Sequence, residues 1–152
     1  MKKICLIASS GGHFEQVMML KPLIEKYDGF IVTEKTNYSV NNTKYNIYYL
    51  KQVNRHEIKF LYYMIVNFIK TLKIFIKEKP DVIISTGALS TIPMCIIGKL
   101  FSKKIIFIES FAKINSPTLT GKLVYKFADQ FYVQWEEMKE FYPNAIFKGG
   151  IY

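Results

Sequence analysis

The 152-residue chain reads as an α/β domain in which a mostly parallel sheet carries helices on both faces. Three observations predict it. Short β-branched apolar runs recur between stretches of helical period. The first run, residues 4–8 (Ile-Cys-Leu-Ile-Ala), is apolar without alternation, as a strand buried on both faces requires. A Ser-Ser-Gly-Gly-His turn follows it at residues 9–13, of the kind that leads a buried strand tightly into a helix. This combination defines a Rossmann-like class.

The elements follow in order. A helix is expected from residue 13 to about 26, strands at 30–33 and 47–50, and a long helix from about 57 to 78. Pro80 then breaks the chain before a strand at 82–85, a helix around 91–101 and a strand at 105–108. A helix near 118–128, a strand at 131–134, a short helix near 136–141 and a last strand at 145–147 complete the alternation. Residues 36–46, polar and asparagine-rich, are the expected mobile loop. With half of its residues apolar and no linker, repeat or low-complexity tract, the chain is expected to form a single domain over residues 1–152.

Composition excludes several classes. Cys5 and Cys95 lack metal-type spacing and read as reduced core residues of a cytosolic protein. The five apolar residues after Met1-Lys2-Lys3 are too few for the core of a signal peptide, and the uncharged stretch 82–98 is broken by Gly87, Pro93 and hydroxyl residues. No bilayer-spanning segment is expected. The net charge of +9 is carried by lysine, with Arg55 the only arginine, which speaks against nucleic acid and for looser attraction to an anionic surface. A lysine-rich composition with no such partner explains the same charge. No zinc pattern, nucleophile elbow or Walker loop is present, and no metal is expected.

Ligands of such sheets collect at the carboxyl ends of the strands. There the first turn offers Ser10, Gly11 and Gly12 to a phosphate or sugar oxygen, and His13 supplies a side chain able to move a proton near neutral pH. A second turn, residues 85–90, repeats the pattern, Gly87 permitting close approach and Thr86 and Ser90 contributing hydroxyls. Glu109, after the 105–108 strand, is either a site carboxylate or a brace for a helix start. Each turn alone is compatible with a plain strand-to-helix connection. The third glycine of a dinucleotide fingerprint is missing, which weighs against a nicotinamide cofactor.

The long helix carries Lys59, Lys70, Lys73 and Lys77 on one narrow stripe, with apolar residues over most of the remaining circumference. That arc is wider than packing on one sheet face requires. It predicts either a deeply buried helix with one solvated stripe, or an outward face for a partner or a membrane, with Phe60, Tyr63 and Phe68 beside the lysines.

Ser-Ser-Gly-Gly-His at 9–13, Val-Thr-Glu at 32–34, Pro-Asp-Val-Ile-Ile-Ser-Thr-Gly at 80–87, Glu-Ser-Phe-Ala at 109–112 and Gln-Trp-Glu-Glu-Met at 134–138 occur in one order over nearly the whole chain. Together they resemble the bacterial exopolysaccharide and capsule proteins that act as the accessory subunit of a two-protein glycosyltransferase. Those proteins are related to the membrane-anchoring subunit of the eukaryotic transferase that adds the second N-acetylglucosamine to a dolichol-linked sugar. The resemblance implies the N-terminal half of a GT-B fold, the acceptor side of an enzyme whose C-terminal half is a separate subunit holding most of the UDP-sugar site. It implies that the chain alone binds no cofactor and is inactive. With its partner it would elongate an undecaprenyl-diphosphate-linked saccharide at the cytoplasmic face of the plasma membrane. His13 would orient or deprotonate the acceptor hydroxyl, and Glu109 would brace His13 or bind sugar hydroxyls. The first glycine turn is also similar to that of the peptidoglycan N-acetylglucosaminyltransferase. Two departures stand out: Ser9 occupies a position where eukaryotic relatives commonly carry glycine, and their apolar N-terminal anchor has no counterpart here, which shifts membrane attachment to surface helices. The alternative is a noncatalytic scaffold that recruits the transferase to the membrane.

Overall fold

The computed structural model describes residues 1–37, 44–54 and 56–152. Seven strands, all parallel, form one sheet in the order β3-β2-β1-β4-β5-β6-β7: β1 (Lys3–Ile7), β2 (Asp28–Glu34), β3 (Ile47–Leu50), β4 (Val82–Ser85), β5 (Lys104–Ile108), β6 (Gln130–Val133) and β7 (Ile146–Phe147). The order reverses between β1 and β4. That places the topological switch point, and its crevice, between the ends of the two strands followed by glycine turns.

Side chains alternate across the sheet and divide the core in two. Cys5 and Ile7 of β1 join Phe30, Val32, Ile83, Ile105 and Phe107 on one face, under α3 (Phe60–Glu78), α4 (Ile92–Leu100) and α5 (Leu119–Val124). Ile4, Leu6 and Ala8 join Ile31, Ile84 and Val17 on the other, under α1 (Gly12–Met18) and α2 (Lys21–Lys26). Both cysteines are free and fully buried. Burial pushes the Cys95 thiol up to about 12 and the Cys5 thiol well above its ordinary range, so neither is a nucleophile at neutral pH.

The helix expected over 13–26 is two helices, because the chain closes one at Met18 and restarts at Lys21 with Pro22 in the first turn, where its missing N–H costs nothing. The helix expected at 91–101 begins as a 3-10 turn over Leu89–Thr91, and the short helix near 136–141 is a 3-10 segment, Glu136–Glu140. The helix expected at 118–128 ends at Val124. Of the loop expected at 36–46, residues 38–43 lie outside the described residues. At its far side the Tyr45 hydroxyl donates to Glu25 at 2.6 Å.

The long helix α3 is held to the sheet by polar contacts at two heights. The Asn67 side chain accepts from Lys51 N–H and donates to Lys51 C=O, both at 2.8 Å, tying it to the chain after β3. At its last turn Glu78 pairs with Lys3 at 2.6 Å and accepts the Tyr48 hydroxyl. Lys3 and then Tyr48 hold the Glu78 carboxyl below its usual range.

Candidate functional site

A cleft of about 560 Å³ opens at the carboxyl ends of β1 to β5. Ser9 and His13 reach it from the first glycine turn, and Gly87, Ala88 and Leu89 from the second. Gln52, Val53, Asn54 and His56 come from the chain after β3, and Lys113 and residues 117–120 close the side next to α5.

The two turns are locked to one another. The Ser9 N–H donates to the Gly87 carbonyl at 3.1 Å, and the Thr86 hydroxyl donates to the His13 carbonyl at 2.8 Å. His13 Nδ1 lies 2.6 Å from the Thr86 carbonyl oxygen. A carbonyl only accepts, so Nδ1 carries the proton, and in the neutral ring Nε2 is left with a lone pair. His13 is thus oriented by backbone, in the tautomer a general base needs.

Glycine is required at two points. Gly11 caps α1 at φ 71°, ψ −140°, and Gly87 has φ 100°, both in territory that L side chains rarely enter. A Cβ on Gly87 would also lie 3.1 Å from His13 Cε1 and 3.3 Å from Nδ1, so the absence of a side chain there is what admits the imidazole. At Gly12 an added Cβ meets nothing within 4 Å, which leaves the entrance of α1 open.

The other residues singled out by sequence do not all share the cleft. Gly11 and Gly12 are exposed but do not line the cleft, standing in the chain between the lining residues Ser9 and His13, whereas Thr86 is fully buried and acts by holding His13. Ser90 is buried too, its hydroxyl without a hydrogen-bond partner. Ser10 serves Glu34, which accepts from the Ser10 hydroxyl at 3.1 Å and amide at 3.3 Å, and from Val53 N–H at 3.2 Å. Glu34 thereby clips the first turn to the chain following β3.

Glu109 corrects the expectation. It is 1 % exposed, does not line the cleft and does not touch His13. Its carboxylate accepts from Ser110 N–H at 2.9 Å, Thr118 N–H at 3.2 Å, the Thr118 hydroxyl at 2.9 Å and the Tyr142 hydroxyl at 2.7 Å. Burial, and then Glu109, push the Tyr142 hydroxyl well above its ordinary range. A carboxylate saturated in this way is a structural anchor for the start of α5, where the Thr118 hydroxyl in turn accepts the Gly121 N–H at 2.8 Å. A second buried group supports the same region: Gln134 Nε2 donates to Gln16 Oε1 at 2.6 Å and to the Glu109 carbonyl at 2.9 Å, joining β6, α1 and β5.

His56 and its neighbours were missed by sequence reasoning. The signal was available, since in a parallel sheet the end of β3 must share the rim with the ends of β1 and β2.

A model of the family described as "Oligosaccharide biosynthesis protein Alg14 like" matches residues 24–151. The chain belongs to the Alg14-like family. Its curated relatives include the human "UDP-N-acetylglucosamine transferase subunit ALG14", 24 % identical over 97 % of this chain and 82 % of that protein. The Yarrowia lipolytica protein of the same name is 28 % identical over 97 % and 80 %. Among solved structures, MurG of Acinetobacter baumannii superposes with a TM-score of 0.72 at 13 % identity, covering 90 % of this chain and 43 % of MurG. UDP-N-acetylglucosamine 2-epimerase of Rickettsia bellii gives 0.75 at 16 % identity, covering 99 % and 45 %. The Alg14-like chain therefore shares their Rossmann-like fold and spans less than half the length of each.

Proposed function

We propose that this Alg14-like chain is the acceptor-side half of a heteromeric UDP-sugar transferase. A separate chain equivalent to the C-terminal half of a GT-B enzyme holds the donor, and this one binds a lipid-linked saccharide at the cytoplasmic face of the membrane. The transferase-subunit names of its relatives support the reaction class, and the match to under half of two longer Rossmann-like proteins supports the division of labour. An undecaprenyl-diphosphate acceptor, and a place in capsule or exopolysaccharide synthesis, are the finer form of the same proposal.

The observation that carries it is His13, held through Nδ1 by the Thr86 carbonyl at the wall of an open cleft. In the reaction Nε2 takes the proton of the acceptor hydroxyl as its oxygen attacks the anomeric carbon. The new C–O bond forms while the bond to the UDP β-phosphate breaks on the opposite face, inverting the centre. The turn glycines let the acceptor approach closely, and Lys113 places a cation in the cleft for its phosphates. Half of such a site neither excludes water nor orients both reactants, so the isolated chain should bind acceptor without turning over.

Titration of the isolated chain with a short-chain lipid-diphosphate saccharide, followed by backbone amide NMR, should shift the signals of Gly12, His13 and Gly87. UDP-N-acetylglucosamine should leave them in place. Tight binding of the nucleotide sugar with no response to the acceptor would instead make the chain a self-sufficient nucleotide-binding module.

A further inference from the structure

Among the described residues no helix is long and apolar enough to cross a membrane. The α3–α4 layer nevertheless leaves uncovered more apolar surface than a solvated face needs. Leu61 is 70 % exposed, Ile65 56 %, Ile69 49 % and Ile76 58 %, all on the outward side of α3. Leu100 and Phe101, at the end of α4, extend the same surface, Phe101 packing on Phe75 with ring centroids 5.1 Å apart. Between the helices runs a groove of about 250 Å³, walled by Leu61, Met64, Ile65 and Phe68 on α3 and by Ile92 and Ile96 on α4. Patches of this kind on a soluble face mark an interaction surface.

The electrostatics select the partner. Going round α3 at 100° per residue, the sheet-facing side (Asn67, Thr71, Ile74) is followed by the α4-facing side, then the exposed apolar stripe, then the lysines. Lys59, Lys70 and Lys73 are exposed along one edge of the stripe. Lys77 is drawn aside, its ammonium 5.2 Å from the centroid of the Tyr48 ring. The helix has a single carboxylate, Glu78, which is already held by Lys3 and Tyr48. Glu57, exposed just before the helix, shares a surface recess with Lys70, and the three lysines outnumber it. An apolar stripe with this cationic edge complements an apolar layer topped by anionic groups. The expectation from sequence is corrected for all three aromatics: Phe60 and Tyr63 are half-buried and lie away from the stripe, Tyr63 beneath the Lys51 ammonium at 5.2 Å, while Phe68, 40 % exposed, walls the groove on the side away from the lysines.

We infer that the outward face of α3 and α4 lies flat on an anionic phospholipid surface, with Leu61, Ile65 and Ile69 in the acyl boundary and Lys59, Lys70 and Lys73 at the phosphates. This rests on the acceptor-side reading and gives it a geometry. Both helices start at the cleft end of the sheet, so Leu89 of the cleft and Ile92 of the groove are three residues apart along the chain. Docked by this face, the cleft opens beside the lipid surface, where the head of a lipid-linked substrate emerges.

The test is flotation of the full chain with vesicles of phosphatidylcholine mixed with phosphatidylglycerol, and with phosphatidylcholine alone. The wild type should float with the mixed vesicles and be released by salt. Changing Lys59, Lys70 and Lys73 to Gln should weaken binding to mixed vesicles by about 100-fold, at roughly fivefold per lysine. Changing the exposed Leu61, Ile65 and Ile69 to Ser should abolish flotation with either vesicle, while circular dichroism and Tm match the parent. A wild type that stays in solution, or a serine variant that floats like the parent, overturns the proposal. So does a parent dimer that the serine changes convert to monomer, which would make the face a contact between two copies. In the complete transferase both variants should retain transfer to a short, water-soluble acceptor. Were the parent itself inactive there while still floating, the transferase reading would fail and the membrane face would stand.

Discussion

His13→Ala, in the chain combined with its donor-side partner, is expected to lower turnover by about 10²- to 10⁴-fold with little change in acceptor KM, the loss typical of a removed general base. The geometry is specific enough to supply a companion variant. Gly87→Ala leaves the imidazole in the sequence but sets a methyl group 3.1 Å from its Cε1 on a backbone with φ 100°, so it should displace the ring and reproduce much of the loss. Gly12→Ala meets no protein atom, and any effect it has must come from the ligand. Initial rates with saturating donor and varied acceptor distinguish the three. A scaffold that only recruits the transferase would keep its full rate with alanine at position 13.

Glu109→Ala should act on stability rather than chemistry. It strips the acceptor from two backbone amides, the half-buried Thr118 hydroxyl and the buried Tyr142 hydroxyl at once, at a cost of about 3 kcal/mol, which for a domain of this size lowers Tm by roughly 6–12 °C. Gly121→Ala should act through the same centre, because its Cβ would stand 2.1 Å from Glu109 Oε2 and 2.5 Å from the Tyr142 hydroxyl. Thermal melts followed by circular dichroism check both. An unchanged Tm with a lost rate would return Glu109 to the reaction.

These two residues mark where sequence is informative. Strand positions were legible because buried parallel strands are short, continuous apolar runs, and the register of β1, β2 and β4 follows from pairing them. The site was legible as far as it depends on the backbone: two glycine turns after neighbouring strands must meet at the switch point, and they carry His13 and Gly87 there. The direction of a side chain was not. Glu109 turns inward because Tyr142, 33 residues later, and Thr118 wait for it, and nothing near position 109 announces either. In the same way the width of the apolar arc on α3 is visible in the sequence, but its outward part depends on where α4 packs. That is why Leu61 and Ile65, rather than Phe60 and Tyr63, meet solvent. The break between α1 and α2 was hidden because residues 13–26 keep a helical period across it, with Pro22 the one local sign.

The most direct measurement is transfer of labelled sugar from UDP-N-acetylglucosamine to a lipid-diphosphate saccharide, by this chain, by a donor-side candidate chain, and by the two together. No product is expected from this chain alone, product is expected from the mixture, and a mixture made with His13→Ala should be reduced by at least about 10²-fold. Robust transfer by this chain alone, or a mixture indifferent to the loss of His13, would contradict the acceptor-side reading.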